Sequence, residues 1–151
     1  MLTSEQTQKS TDFIAKLQKL LWHNGLQIGL IITPQKVTLA DISAAAPNSN
    51  QIMSLELGDE IDSESMIGYL AEGIKSGQTI LLKIGANLPV AVYNQIFLLS
   101  KNGRMEYPHL EERVFVDAHP DARLILVMAD KDLENCNYKN LLDVAGFVER
   151  L

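Results

Sequence analysis

The sequence predicts a three-layer α/β domain with a mostly parallel sheet. Three observations carry that prediction. Short apolar runs rich in Leu, Ile and Val recur at 26–32, 79–85 and 122–130. Stretches with apolar residues at helical spacing lie between them, and Gly, Pro and Asn punctuate the joins. Strands that alternate with helices favour parallel pairing, because each return crossing must pass over a sheet face.

Taken in order, residues 11–24 place Phe13, Ile14, Leu17, Leu20 and Leu21 at helical spacing, with Asn24-Gly25 as the stop. Leu21 and Trp22, near the end of this helix, are read as packing on the sheet. "LQIGLII" (26–32) predicts a buried strand closed by Thr33-Pro34. "KVTLADISAAA" (36–46) predicts a short helix stopped by Pro47 and "NSN". In "QIMSLEL" (51–57) polar and apolar residues alternate, as on a strand near a sheet edge. The next helix has Asp62 or Ser63 as its cap, Met66, Ile67, Leu70 and Ile74 as its stripe, and Gly77 beyond its end. "TILLKIG" (79–85) is almost continuously apolar, as a central parallel strand should be. Asn87 and Pro89 open a helix that turns Val92, Ile96 and Leu99 inward and ends at Asn102-Gly103. "RMEYP" and "RVFVDAHP" predict a hairpin, "ARLILVMAD" a buried strand, and "YKNLLDVAGFVERL" a closing helix. The division expected is an N-terminal helix at 1–25 and an α/β core at 26–151.

Composition bounds the function. The 151 residues make about one domain, with 46% hydrophobic and 21% charged residues. A formal charge of −6 disfavours nucleic-acid backbones and anionic membrane surfaces. No stretch approaches the ~20 apolar residues of a membrane span, and the polar start "MLTSEQTQKS" is no secretory signal. Cys136, the single cysteine, excludes an intrachain disulfide and a cysteine zinc cluster; it reads as an incidental thiol in a reducing, cytoplasmic setting.

Several phrases, in this order, resemble the AAA+ ATPase core, specifically its MoxR, midasin and dynein-related group. "NLPVAVYNQIFLLSKNGRMEYP" (87–108) is similar to the group's Leu-Pro helix and Gly-Arg turn into a hairpin. "VDAHPDARLILVMAD" (116–130) resembles its run into the sensor strand, and "SESMIGYLAEGIKSGQTILL" (63–82) the run before Walker B. The likeness spans roughly 26–151. It implies a P-loop-NTPase-like parallel sheet with ATP at the carboxyl ends of its strands. The helical lid that follows in the group has no counterpart here.

A site of that kind needs a Gly-rich phosphate loop, an acidic pair for Mg²⁺ and water, and a polar sensor residue. After "IGLII" the chain offers only Lys36 and Thr38, with no glycine between Ile32 and Lys36, and Pro34 removes an N–H donor. Lys83 stands at the Asp place of Walker B and Ile84 at the Glu place. A cation cannot bind Mg²⁺, and an aliphatic chain cannot polarise water. The sensor place falls on Ala129; a one-residue slip would put Asp130 there, where it would repel a γ-phosphate.

These losses imply a catalytically inactive AAA+-like domain that acts as an interaction or scaffold module. It would have no resident cofactor or metal and would self-associate or dock on a protein, an active AAA+ subunit being one such partner. The alternatives are a nucleotide-binding sensor without hydrolysis, using Lys36 or Lys83, and a residual ATPase. Arg150, in "FVERL", matches an arginine that in the group can reach a neighbouring subunit's ATP. Tyr107, His109, Glu111, Glu112 and Arg113 form a polar hairpin tip, a candidate contact loop beside the plainer reading of a solvated turn. His23, His109 and His119 lack metal spacing, and His119 suits a turn. Asp117, Asp121 and Asp130 have no partnering histidine at useful spacing.

Overall fold

A computed structural model describes residues 1–22, 24–34, 36–46, 52–56, 62–135 and 141–151. The predicted stop at Pro47, His23 and Cys136 lie outside them. In chain order the elements are α1 (Ser4–Lys19), β1 (Ile28–Thr33), α2 (Leu39–Ala45), β2 (Ile52–Glu56), α3 (Ser63–Ser76) and β3 (Thr79–Lys83). There follow α4 (Val90–Asn102), β4 (Arg104–His109), β5 (Glu112–Asp117), β6 (Arg123–Ala129), α5 (Asp130–Glu134), α6 (Leu141–Val144) and β7 (Phe147–Arg150).

The main sheet runs β2-β3-β6-β1-β7, and every pairing in it is parallel. The fold is thus a three-layer α/β, P-loop-like architecture. α1 and α2 cover one face. There Phe13, Ile14, Leu17, Val37 and Ile42 pack on Ile31, Leu81, Ile125 and Val127. α3, α4 and α6 cover the other, where Met66, Leu70, Ile74, Val92, Ile96 and Leu141 meet Leu30, Ile80, Leu82, Leu124 and Leu126. β1, β3 and β6 are apolar on both sides because both sides are covered.

Helix boundaries follow from capping. α1 starts seven residues before the predicted 11, because Thr3 and Gln6 close a capping box ahead of the apolar stripe. It also stops at Leu20, before Asn24-Gly25. α3 begins on the Asp62 cap, whose carboxylate accepts from the Ser65 N–H at 2.8 Å. Gly77 and Gly103 end α3 and α4 with φ of 79° and 63°, the left-handed turn that glycine adopts without steric cost.

The chain's last segment departs from the prediction. "YKNLLDVAGFVERL" forms no continuous helix: within 141–151 only Leu141–Val144 is helical, and Phe147–Arg150 is a fifth parallel strand beside β1. Two forces explain it. Gly146 interrupts the helical pattern, and a fully buried β1 requires a hydrogen-bonding partner on its outer side. Leu21 is a second correction: it is 82% exposed, whereas Trp22 lies half-buried over Gly103. The predicted hairpin is present as β4–β5, antiparallel from Arg104↔Asp117 to His109↔Glu112.

Candidate functional site

In an open parallel sheet the natural ligand crevice lies at the carboxyl ends of two strands whose exits leave toward opposite faces. β1 leads into α2 on one face and β6 leads toward α6 on the other, so this crevice lies between them. Thr33 and Ala129 sit opposite each other at its rim. Arg150 stands beside Ile32, and Lys83 is level with Val127. The fold gathers Lys36, Thr38, Lys83, Ile84, Ala129 and Arg150 at one end of the sheet.

What these residues do there is set by local chemistry. The β1–α2 connection is short and turned onto itself: the Val37 N–H donates to the Pro34 carbonyl at 3.1 Å, and the Val37 side chain is buried. Thr38 is the N-cap of α2. Its hydroxyl accepts from the Asp41 N–H at 3.2 Å, while its own N–H donates to the Asp41 carboxylate at 3.0 Å. The Thr38 N–H first, then the Met1 ammonium at 3.2 Å and the Thr38 hydroxyl, hold the Asp41 carboxyl below its ordinary value. A fixed carboxylate thus occupies the start of α2, the place at which a phosphate-binding loop would present bare N–H groups.

The end of β3 is likewise closed by local contacts. Lys83 Nζ lies 3.5 Å from Glu56 Oε1 on neighbouring β2, so this cation is paired within the sheet. Ile84 is 2% exposed; its N–H donates to the Val127 carbonyl and its side chain joins the α3–α4 core. Ala129 ends β6, and Asp130 belongs to α5, where its carboxylate accepts from the Lys131 N–H. Lys36 and Arg150 are exposed.

Asp117, Asp121 and Asp130 do not form a cluster. Asp117 pairs with Arg104 at 2.7 Å, Asp121 sits in the turn before β6, and Asp130 lies at the opposite end of that strand. His119 accepts the Asp121 N–H on Nδ1, donates its own N–H to the Ile74 carbonyl and lies against Gly77, a turn and packing role. Among the described residues no group of His, Cys, Asp or Glu is arranged to hold a metal ion.

A further concavity lies elsewhere. A groove of about 990 Å³ runs between α3, α4 and the hairpin, with Ser65, Ile67 and Gly68 on one wall and Ala91, Asn94 and Leu98 on the other. Tyr107, His109, Leu110 and Arg113 line it, whereas Glu111 and Glu112 stand outside it on the exposed tip. One buried residue that sequence reasoning missed holds this wall in place. The Gln95 side chain donates to the Glu106 carbonyl at 2.8 Å and accepts from the Glu106 N–H at 3.1 Å, pairing with β4 as a strand would. A glutamine on the inner face of an otherwise apolar helix stripe was the available signal.

No family model matches the chain, and no curated protein matches it. No helix among the described residues is long and apolar enough to cross a membrane.

Proposed function

We propose that this is an AAA+-like domain without ATP turnover, working as a protein-interaction or scaffold module. The observation that carries the reading is the Thr38–Asp41 capping box. It places the chain's own carboxylate where a triphosphate would need unpaired N–H donors. The Lys83–Glu56 pair and buried Ile84 support it from the Walker-B side. The phrases that resemble the MoxR-related group fall on α3–β3, α4–β4 and β5–β6 in the expected order, which supports the ancestry. The interaction surface is the groove and hairpin of the α3–α4 face. The partner is another protein or a second copy, in a cytoplasmic setting.

The test is a thermal-shift titration of the full chain with Mg·ATP, with ADP and without nucleotide. The expected result is no shift at millimolar nucleotide and no phosphate release. A saturable stabilisation that disappears in Lys36→Ala or Lys83→Ala would replace this reading with that of a nucleotide sensor.

A further inference from the structure

We propose that two copies of this chain pair edge to edge through β5, antiparallel about a two-fold axis at Phe115, so that their hairpins join into one sheet. The inference rests on the interaction-module reading and names a second copy as the partner. Opposite residues in an antiparallel ladder alternate between pairs that exchange both hydrogen bonds and pairs that exchange none. Two contacts set that alternation in β4–β5. The Ala118 N–H donates to the Gly103 carbonyl at 2.8 Å, and both main-chain groups of Glu106 turn away from β5 to meet the Gln95 side chain. Glu106↔Phe115 is therefore a pair that exchanges none, as are Arg104↔Asp117 and Pro108↔Arg113 two residues to either side. The N–H and C=O groups of Arg113, Phe115 and Asp117 consequently point out along the far edge of β5. Among the described residues nothing bonds to them.

The hairpin's two edges are finished differently. On β4, Gln95 occupies the Glu106 groups and Pro108 has no N–H to offer, so a further strand is refused. β5 carries neither proline nor lysine, the usual guards of a free edge. Its centre is Val114-Phe115-Val116, all strong strand formers. Phe115 is 55% exposed, and Arg113 and Asp117 are exposed with it on the outer face.

The order of side chains along that edge selects a second copy. Arg113-Val114-Phe115-Val116-Asp117 is symmetric in its apolar residues and opposite in charge at its two ends. A two-fold axis at Phe115 sets that ring against its equivalent and Arg113 against Asp117 of the other copy, twice over, as an isologous contact requires. The same axis places every outward-pointing residue in a pair that exchanges hydrogen bonds. Asp117 meets Arg104 of its own hairpin through Oδ1, which leaves Oδ2 for the incoming guanidinium. Moving the axis by two residues would set Arg113 against Arg113 or Asp117 against Asp117, so charge fixes the register as well as the partner.

Sedimentation equilibrium and amide hydrogen exchange of the full chain, from micromolar to millimolar protein, test the proposal. The wild type is expected to show a monomer–dimer equilibrium. The amides of Arg113, Phe115 and Asp117 should exchange more slowly as concentration rises, whereas those of Val114 and Val116, bonded to β4, should be protected throughout. Arg113→Asp sets acid against acid in the homodimer, and Asp117→Arg sets cation against cation. Each should weaken association about tenfold. Both side chains are exposed, so each variant should melt close to wild type. Mixing the two variants should recover the association, because the mixed dimer again opposes an acid and a cation at both ends.

A wild type that stays monomeric at millimolar concentration overturns the proposal and leaves the edge to an extended segment of another protein. A dimer in which the Phe115 amide exchanges no more slowly also overturns it, as does a mixture no stronger than its components. Each of these failures leaves the interaction-module reading standing. Nucleotide binding in the thermal-shift test would sink that reading instead.

Discussion

Arg123 should be the most costly single polar residue to remove, although it touches no candidate site. It is 3% exposed and stands at the start of β6 beneath the end of α1. Its Nε donates to the Leu17 carbonyl at 2.6 Å, and Nη1 to the Pro120 and Ala122 carbonyls at 2.9 and 2.6 Å. Nη2 donates to the carbonyls of Leu20 and, at 3.4 Å, Gln18. The guanidinium therefore caps the unsatisfied carbonyls of α1 and sits at the negative end of its dipole. Burial lowers its pKa, and nearby Asp121 partly offsets this, yet no carboxylate bonds to it. In Arg123→Met the chain length is kept and the cap is lost. Hydrogen bonds to a charged donor contribute about 1.5–3 kcal/mol each and do not add fully. Water can reach the Leu20 end beside exposed Leu21, so the net loss should be about 3–5 kcal/mol. In a chain of this size that lowers Tm by roughly 10 °C. Thermal unfolding followed by circular dichroism, with urea titration for the free energy, gives the number. Arg123→Lys should fall between the two, since an ammonium cannot reach both sets of carbonyls. An Arg123→Met protein that melts within ~2 °C of wild type would refute the capping argument.

Three further outcomes are expected. Gln95→Met leaves both Glu106 backbone groups without their partner and should destabilise the hairpin's attachment by about 1–3 kcal/mol. Hydrogen exchange at 104–117 would report it, and unchanged protection would count against the pairing. The Ser65 N–H, through its hydrogen bond to the cap, holds Asp62 below its ordinary 3.8 in the folded chain. Its contribution is thus present above that value and lost as the pH falls through the lower folded pKa. Acidification from about pH 5 to 2 should lower Tm less steeply in Asp62→Asn than in wild type; parallel curves would refute this. Lys83→Ala breaks only a partly exposed pair with Glu56 and should change stability by no more than about 1 kcal/mol. A larger loss in urea titration would mean that Lys83 supports the sheet edge more than its contact suggests.

The sequence was most legible where one physical signal dominated. β1, β3 and β6 were visible because strands covered on both faces must be apolar throughout. Asp62, Gly77 and Gly103 were visible because caps have few chemical solutions. β7 was not. Four residues with one alternating pair carry little signal, and the demand that made them a strand came from β1, far away in sequence. The start of α1 was hidden for a related reason: its first two turns are polar, so periodicity is silent there and only the Thr3–Gln6 box marks the boundary. Arg123 lay in a phrase noted for its likeness to a sensor strand, yet its role depends on the end of α1 arriving above it.

The carboxyl edge was legible as a list of residues but not as an arrangement, and the arrangement is the stronger argument. Each group at this edge has its own local partner. The Thr38 hydroxyl accepts the Asp41 N–H of α2 while the Asp41 carboxylate accepts the Thr38 N–H, Glu56 lies across from Lys83, and Ile84 fills the core. Single acidic substitutions here would accordingly create strain. Ile84→Glu would bury an unpaired carboxylate among apolar side chains, and Lys83→Asp would set two acids against each other across β2 and β3. An acidic pair at this edge would therefore require changing the strand end and its neighbour together, since Glu56 and the apolar core around Ile84 are set against a carboxylate.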